Sequence, residues 1–246
     1  MFHIEANTAV PAQNVEADLV PIPSSQIAIF NAHWFPQDPP QLIFAAAMSP
    51  NIVRARVQTP TLNLITTPFI RGIMGGLVPT SPAQVDNLVM QPLQLRAREE
   101  IIMFGVQSNA GAMRITTIIG LLFGPNPPAQ GTIYTMRGTS TTAAVANAWT
   151  LLTMVWQNQL PQGNYAAVGM QHQSANAQAA RIIFLGQYYR PGCVSQAALV
   201  DYAHPIFRMG YMGQWGTWRD NIMPNIEVLC NAADAVHEVY LDFMQL

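Results

Sequence analysis

Prolines and glycines, 19 and 16 of them in 246 residues, interrupt this chain at short intervals, so its regular elements must be brief. Between these breaks apolar residues alternate with polar ones instead of recurring at helical spacing, which is a β pattern. A period of two sets one face of a strand toward a core and the other away from it. In Ile52 to Gln58, Val53, Ala55 and Val57 share one face and Arg54, Arg56 and Gln58 the other. Leu93 to Arg98 repeats the scheme, with Leu93, Leu95 and Ala97 opposite Gln94, Arg96 and Arg98. Runs of the same kind cover Gln26 to Phe30, Glu100 to Val106, Met113 to Phe123, Thr132 to Arg137, Trp149 to Gln157, Asn164 to Gln171, Ala180 to Leu185, Ile206 to Tyr211, Ile226 to Cys230 and Val236 to Met244. So many strands with turn signals between them predict an all-β chain, an antiparallel β-sandwich or a barrel.

Helices are expected only in connections. Ser81-Pro82-Ala83-Gln84 offers an N-cap serine, a proline at the first helical position and a glutamine able to close a capping box, with Pro92 as a stop. Ser195 to Tyr202, ahead of His204-Pro205, is a second candidate. The strongest break is Gly124-Pro125-Asn126-Pro127-Pro128-Ala129-Gln130-Gly131, which divides the chain nearly in half. It predicts two sandwiches in tandem, 1–124 and 125–246, with residues 1–20 as an extended polar arm that orders on a neighbour. One elaborated sandwich over 21–246 with a long cross-over would give the same string. An internal echo, Gly105-Val106-Gln107 with Arg114-Ile115 against Gly169-Met170-Gln171 with Arg181-Ile182, lacks the half-chain offset of duplicated domains and is read as two similar hairpins.

The chain contains no lysine, and its 11 arginines and 13 acids make up 10% of residues against 50% hydrophobic ones. A soluble domain carries about 25% charged residues. Asn and Gln fill polar positions instead, and their amides tolerate desolvation when hydrogen-bonded, so much of the exterior is expected to be covered by other protein. A coding bias against lysine would also yield this composition. A net charge of -2 and a pI near 6.2 give no basic footprint for nucleic acid. The first residues, MFHIEANTAVPAQNVEADL, hold three acids and no base, unlike a secretory signal, and Ala143 to Trp156 is too short and too polar to span a bilayer. Neither a signal peptide nor a transmembrane segment is expected. Cys193 and Cys230 are expected as buried free thiols.

No catalytic residue, metal site or cofactor is expected. His3, His33, His172, His204 and His237 show no metal-ligand spacing. Asp201 with His204, and Asp234 with His237, would make dyads with a nucleophile such as Cys193, but no nucleophile elbow accompanies them. Glu99 and Glu100 would point to opposite faces of a strand, and Arg71-Gly72-Ile73-Met74-Gly75-Gly76 lacks the lysine of a phosphate loop. If their strands are neighbours, Arg54, Arg56, Arg96 and Arg98 form a basic stripe for nucleic acid, lipid or acidic groups on another subunit; otherwise they form a solvated face neutralised by Glu99 and Glu100. The run from Phe207 to Arg219, with Phe207, Tyr211, Trp215 and Trp218 among three glycines, suits a sealed subunit interface or a sugar-stacking surface.

The second half reads NYAAVGMQHQ, SANAQA, ARIIFLG, YYRPGCV, then IEVLC and HEVYLDFMQL. With the Pro/Gly-rich turns and scarce charge, this pattern resembles the jelly-roll capsid proteins of icosahedral viruses. With two halves it is similar to the double jelly-roll major capsid proteins of tailless, membrane-containing viruses. The resemblance covers the whole length as a pattern, without a diagnostic motif. It implies a non-enzymatic, self-assembling shell subunit located in the virion. Its partners would be copies of itself in a trimer and other virion proteins, with lipid or genome as further contacts and no small-molecule substrate. A surface or secreted glycan-binding sandwich, or a subunit of a non-viral extracellular assembly, is the alternative.

Overall fold

The structure, a computed structural model, describes the chain except residues 24–27, 32, 50, 66–68, 71–72, 75–84, 110–113, 198–203 and 221. It falls into two compact units: residues 5–123, here the N-terminal unit, and residues 124–246 together with 1–4, the C-terminal unit. Both are built almost wholly of antiparallel strands.

Eight strands frame the N-terminal unit: β1 (Phe2–Ala9), β2 (Ala17–Asp18), β3 (Gln41–Ser49), β4 (Ile52–Gln58), β5 (Phe69–Ile70), β6 (Val85–Asn87), β7 (Ile102–Gln107) and β8 (Ile115–Leu122). One sheet runs β6-β3-β8-β1, with Val20–Pro21 beyond β1, and the other runs β2-β7-β4-β5. Their facing side chains meet in one core, where Leu42, Ala45 and Ala47 of β3 and Ile115, Ile119 and Leu121 of β8 pack with Ile52, Ala55 and Val57 of β4 and Met103 of β7.

The C-terminal unit repeats the plan with β9 (Tyr134–Ser140), β10 (Trp149–Leu152), β11 (Asn164–Gln173), β12 (Ala177–Ile183), β13 (Gly192–Val194), β14 (Gly216–Arg219), β15 (Asn225–Cys230) and β16 (His237–Gln245). Its sheets run β9-β16-β11-β14, with Val155–Trp156 beyond β9, and β10-β15-β12-β13. In each unit the first, eighth, third and sixth strands share one sheet and the second, seventh, fourth and fifth the other. That order defines a jelly roll, and the chain holds it twice. Matching strands start at Gln41 and Asn164, at Ile102 and Asn225, and at Ile115 and His237, each pair separated by close to half of the 246 residues. The sequence echo instead aligns Gly105 on β7 with Gly169 on β11, strands that do not correspond.

Several expectations are corrected. Residues 1–20 do not form a free arm, because Phe2–Ala9 is a strand whose first seven residues are buried. Its polar groups find partners inside the protein: Asn7 Nδ2 donates to the Leu19 carbonyl at 2.7 Å, and His3 Nδ1 accepts from the Arg190 amide at 3.0 Å. Alternation does not predict β3, because QLIFAAAMS is buried on both faces. The Leu93–Arg98 strand shrinks to Leu93–Gln94, since Arg98 takes φ 56° and Glu99 Oε2 accepts from the Arg96 amide at 2.7 Å, turning the chain. Ile206–Tyr211 opens with a 3-10 turn, Pro205–Phe207, rather than a strand. The one α-helix among the described residues, Pro60–Ile65, has Thr59 accepting from the Leu62 amide at 3.1 Å and proline at its first position. The helix expected from Ser81 to Gln84 lies outside the described residues, as does most of Ser195–Tyr202, of which Ser195 to Ala197 are not helical.

Candidate functional site

The aromatic run turns inward. After Phe207, Gly210 and Gly213 each adopt φ 74°, a conformation other residues rarely take, and fold the segment back against β11. The Gly210 amide donates to the Val168 carbonyl and the Trp215 amide to the Ala167 carbonyl, each at 2.8 Å. Phe207, Trp215 and Trp218 are buried, and only Tyr211 is exposed. Trp215 meets Phe2 edge-on at 5.0 Å, and Trp218 lies against Tyr165, Phe184 and Phe243. The expected interface or sugar platform is therefore mostly core, because glycine turns return the rings to their own unit.

A buried ion pair pins this segment. Asp242, fully buried on β16, accepts from Arg208 Nε at 2.6 Å, Arg208 Nη2 at 2.9 Å, the Met209 amide at 3.0 Å and Thr135 Oγ1 at 2.6 Å. Arg208 Nη1 also donates to Gln171 Oε1 at 2.7 Å. Space for the pair requires Gly169 on β11, where a Cβ would lie 2.7 Å from Asp242 Oδ2 and 2.8 Å from the Phe207 carbonyl.

The four arginines do not assemble into one stripe. Arg54 and Arg56 project from β4, which pairs with β7 and β5, whereas Arg96 and Arg98 follow a strand that pairs with β3 in the other sheet. Arg56 Nη2 lies 2.5 Å from Glu16 Oε1, its guanidinium sits 3.7 Å over the Phe104 ring, and it donates to Gln58; Arg54 lies 3.6 Å from Glu16 Oε2. The Arg56 hydrogen bond holds the Glu16 carboxyl below its ordinary pKa. Nearby, His33 Nδ1 lies 2.5 Å from Glu100 Oε1 and Nε2 3.9 Å from Asp18. This face is therefore mixed in sign. Glu99 serves a different role: burial pushes its pKa up, but hydrogen bonds from the Arg96 and Thr61 amides and the Thr61 hydroxyl outweigh burial and hold it low.

The histidine dyads are not poised for catalysis. His237 Nε2 faces the carbonyls of Thr142 at 3.2 Å and Asp234 at 3.3 Å, so it donates rather than serving as a base. His204 packs against Phe207, and burial lowers its pKa; Asp201 lies outside the described residues. Cys193 and Cys230 are free and buried, and burial pushes both thiols up to about 12, far from a reactive thiolate. Spacing did not reveal that His172, fully buried on β11, stacks on His237 with centroids 5.5 Å apart. Among the described residues, no group of three or more His, Cys, Asp or Glu could hold a metal, and no helix is long and apolar enough to cross a membrane. A cleft along β14, lined by Leu185, Trp218, Arg219 and Ile222, brings no acid–base pair together with a nucleophile.

No protein-family model matches the chain, and no curated protein sequence matches it. Among solved structures it is similar to the major capsid protein P2 from Bacteriophage PM2, at 12% identity over 100% of this chain and 97% of that one, with a TM-score of 0.27. A TM-score so low lends no weight to the fold assignment, which rests on the strand order in both units.

Proposed function

We propose that this chain is a structural, non-enzymatic subunit that assembles with copies of itself into a closed shell, in the manner of a double jelly-roll viral capsid protein. One observation carries this reading: the same eight-strand order occurs twice in one chain. Each compact unit is then a jelly-roll domain, and three chains supply six sandwiches to a near-hexagonal trimer located in a virion.

The composition supports this reading. A chain with 10% charged residues bears exposed Met90, Leu185 and Tyr188, each more than three-quarters accessible, and burial against other subunits would remove such surface from water. Strand edges such as β14 and β13 are protected when neighbours cover them. The Arg54, Arg56 and Glu16 face, with Tyr211 elsewhere, supplies polar and amphipathic subunit contacts. A glycan-binding role loses its main support, since Trp215 and Trp218 present no open ring face.

Size-exclusion chromatography with light scattering, followed by negative-stain microscopy, tests the proposal. Trimers or larger particles at micromolar concentration are expected. A monomer that persists at high concentration would overturn it.

A further inference from the structure

We propose that the His172–His237 stack in the C-terminal unit is an acid-sensitive latch that ties together the loops at one end of the sandwich and releases them when His172 gains a proton. The observations are independent of any assembly.

Four connections converge there. The β9–β10 loop supplies the Thr142 carbonyl to His237 Nε2, and the Ala144 amide donates to the Asp234 carbonyl at 2.6 Å. In the β15–β16 loop, Asp234 accepts through its carboxylate from Ser174 Oγ at 2.5 Å and the Asn176 amide at 2.9 Å, both in the β11–β12 loop. Beyond β13, Ser195 Oγ lies 2.7 Å from His172 Nδ1, and the Gln196 amide donates to the His172 carbonyl at 2.9 Å. The two rings thus sit where four loops meet.

A second N–H on His172 would meet no acceptor among the described residues. Among the described residues, neither His172 Nε2 nor His237 Nδ1 has a hydrogen-bond partner, and the rings lie nearly parallel at 23°. A protonated imidazole donates from both nitrogens, so protonation would leave a charged donor unsatisfied against a neighbouring ring. Among the described ionisable groups, the Asp234 charge favours a protonated ring, but it is outweighed at His172 by burial and by His237. The Asp234 carboxylate is committed to Ser174, Asn176 and the Val236 amide. Cys193 and Cys230 stay neutral, and Arg208 adds positive charge beyond Cys193 while bonded to Asp242. Glu238 follows His237 but is paired with Arg137 and bonded by Tyr240.

Burial first, and His237 second, depress His172 from its ordinary 6.5 to about 3. Its folded value lies below the unfolded one, so the closed state is fully favoured above about pH 6.5 and loses ground steadily as pH falls toward 3. One proton taken up on opening makes the open population rise about tenfold per pH unit in that window.

The two cysteines, both in this unit and both buried, report the opening. The full-length protein, in whatever assembly it forms, is labelled with 4,4′-dithiodipyridine, a reagent active on thiols in acid, from pH 7 to pH 4. Each rate is divided by that of the denatured protein at the same pH. The ratio is expected to climb about tenfold per pH unit below pH 6, with far-UV circular dichroism unchanged. His172→Phe should flatten that slope. Slope rather than rate is compared, so loosening by the substitution itself does not obscure the result. A flat wild-type profile, an unchanged slope in His172→Phe, or labelling that tracks loss of strand signal would each overturn the proposal; the wild-type profile decides alone if His172→Phe fails to fold.

Discussion

Two of the scarce arginines of this chain, Arg181 and Arg208, are drawn into largely buried ion pairs with Glu227 and Asp242. Asp242 has no access to water, and Arg208, a backbone amide and a threonine hydroxyl fill its acceptor positions. Asp242→Asn should cost about 3 kcal/mol in urea unfolding, since it strands the Arg208 cation while keeping side-chain volume. Arg208→Met combined with Asp242→Asn should recover part of that loss, because no unpaired charge then remains. No local motif links Arg208, Asp242 and Gly169. Their pairing depends on β11 lying beside β16, so it was invisible in a linear string. The arginines show the same limit: alternation correctly set Arg54 and Arg56 outward, but partner strands decided that Arg96 and Arg98 belong elsewhere.

Strands were legible wherever one face is buried and the other is not. The bounds of Ile52–Gln58 are legible because Arg54 and Arg56 alternate with the core residues Ala55 and Val57, but Val53, expected on the core face, is exposed. Strands buried on both faces, β1 and β3, erase alternation and so carry no strand signal in the sequence. β3 carries a further constraint. Gly120 on β8 faces Phe44, and a Cβ there would lie 2.0 Å from the Phe44 ring, so the ring covers the gap that glycine leaves. Gly120→Ala should destabilise the protein by about 2 kcal/mol through overpacking, and adding Phe44→Leu should restore much of it, as thermal unfolding would show. A loss no larger than that of an alanine placed in an exposed strand would count against this ring-over-glycine contact.

At the scale of the whole molecule, the proposed assembly of a chain with only 10% charged residues would cohere through apolar and amide contacts. Salt should accordingly do little: particles seen by light scattering at 0.1 M sodium chloride should persist at 1 M, where the Debye length falls to about 3 Å. Dissociation on adding salt would show that ionic contacts between subunits hold the particles together.

By itself the sequence determined that the chain is all-β, broken near its middle and short of charge, because periodicity, punctuation and composition are local properties that survive in a linear string. Tertiary structure alone decided which strands are neighbours, and hence that Trp215 and Trp218 are core, that the arginines part company and that two distant histidines stack. Those outcomes depend on contacts between residues far apart in sequence, and burial, the force that selects them, acts on the folded surface as a whole.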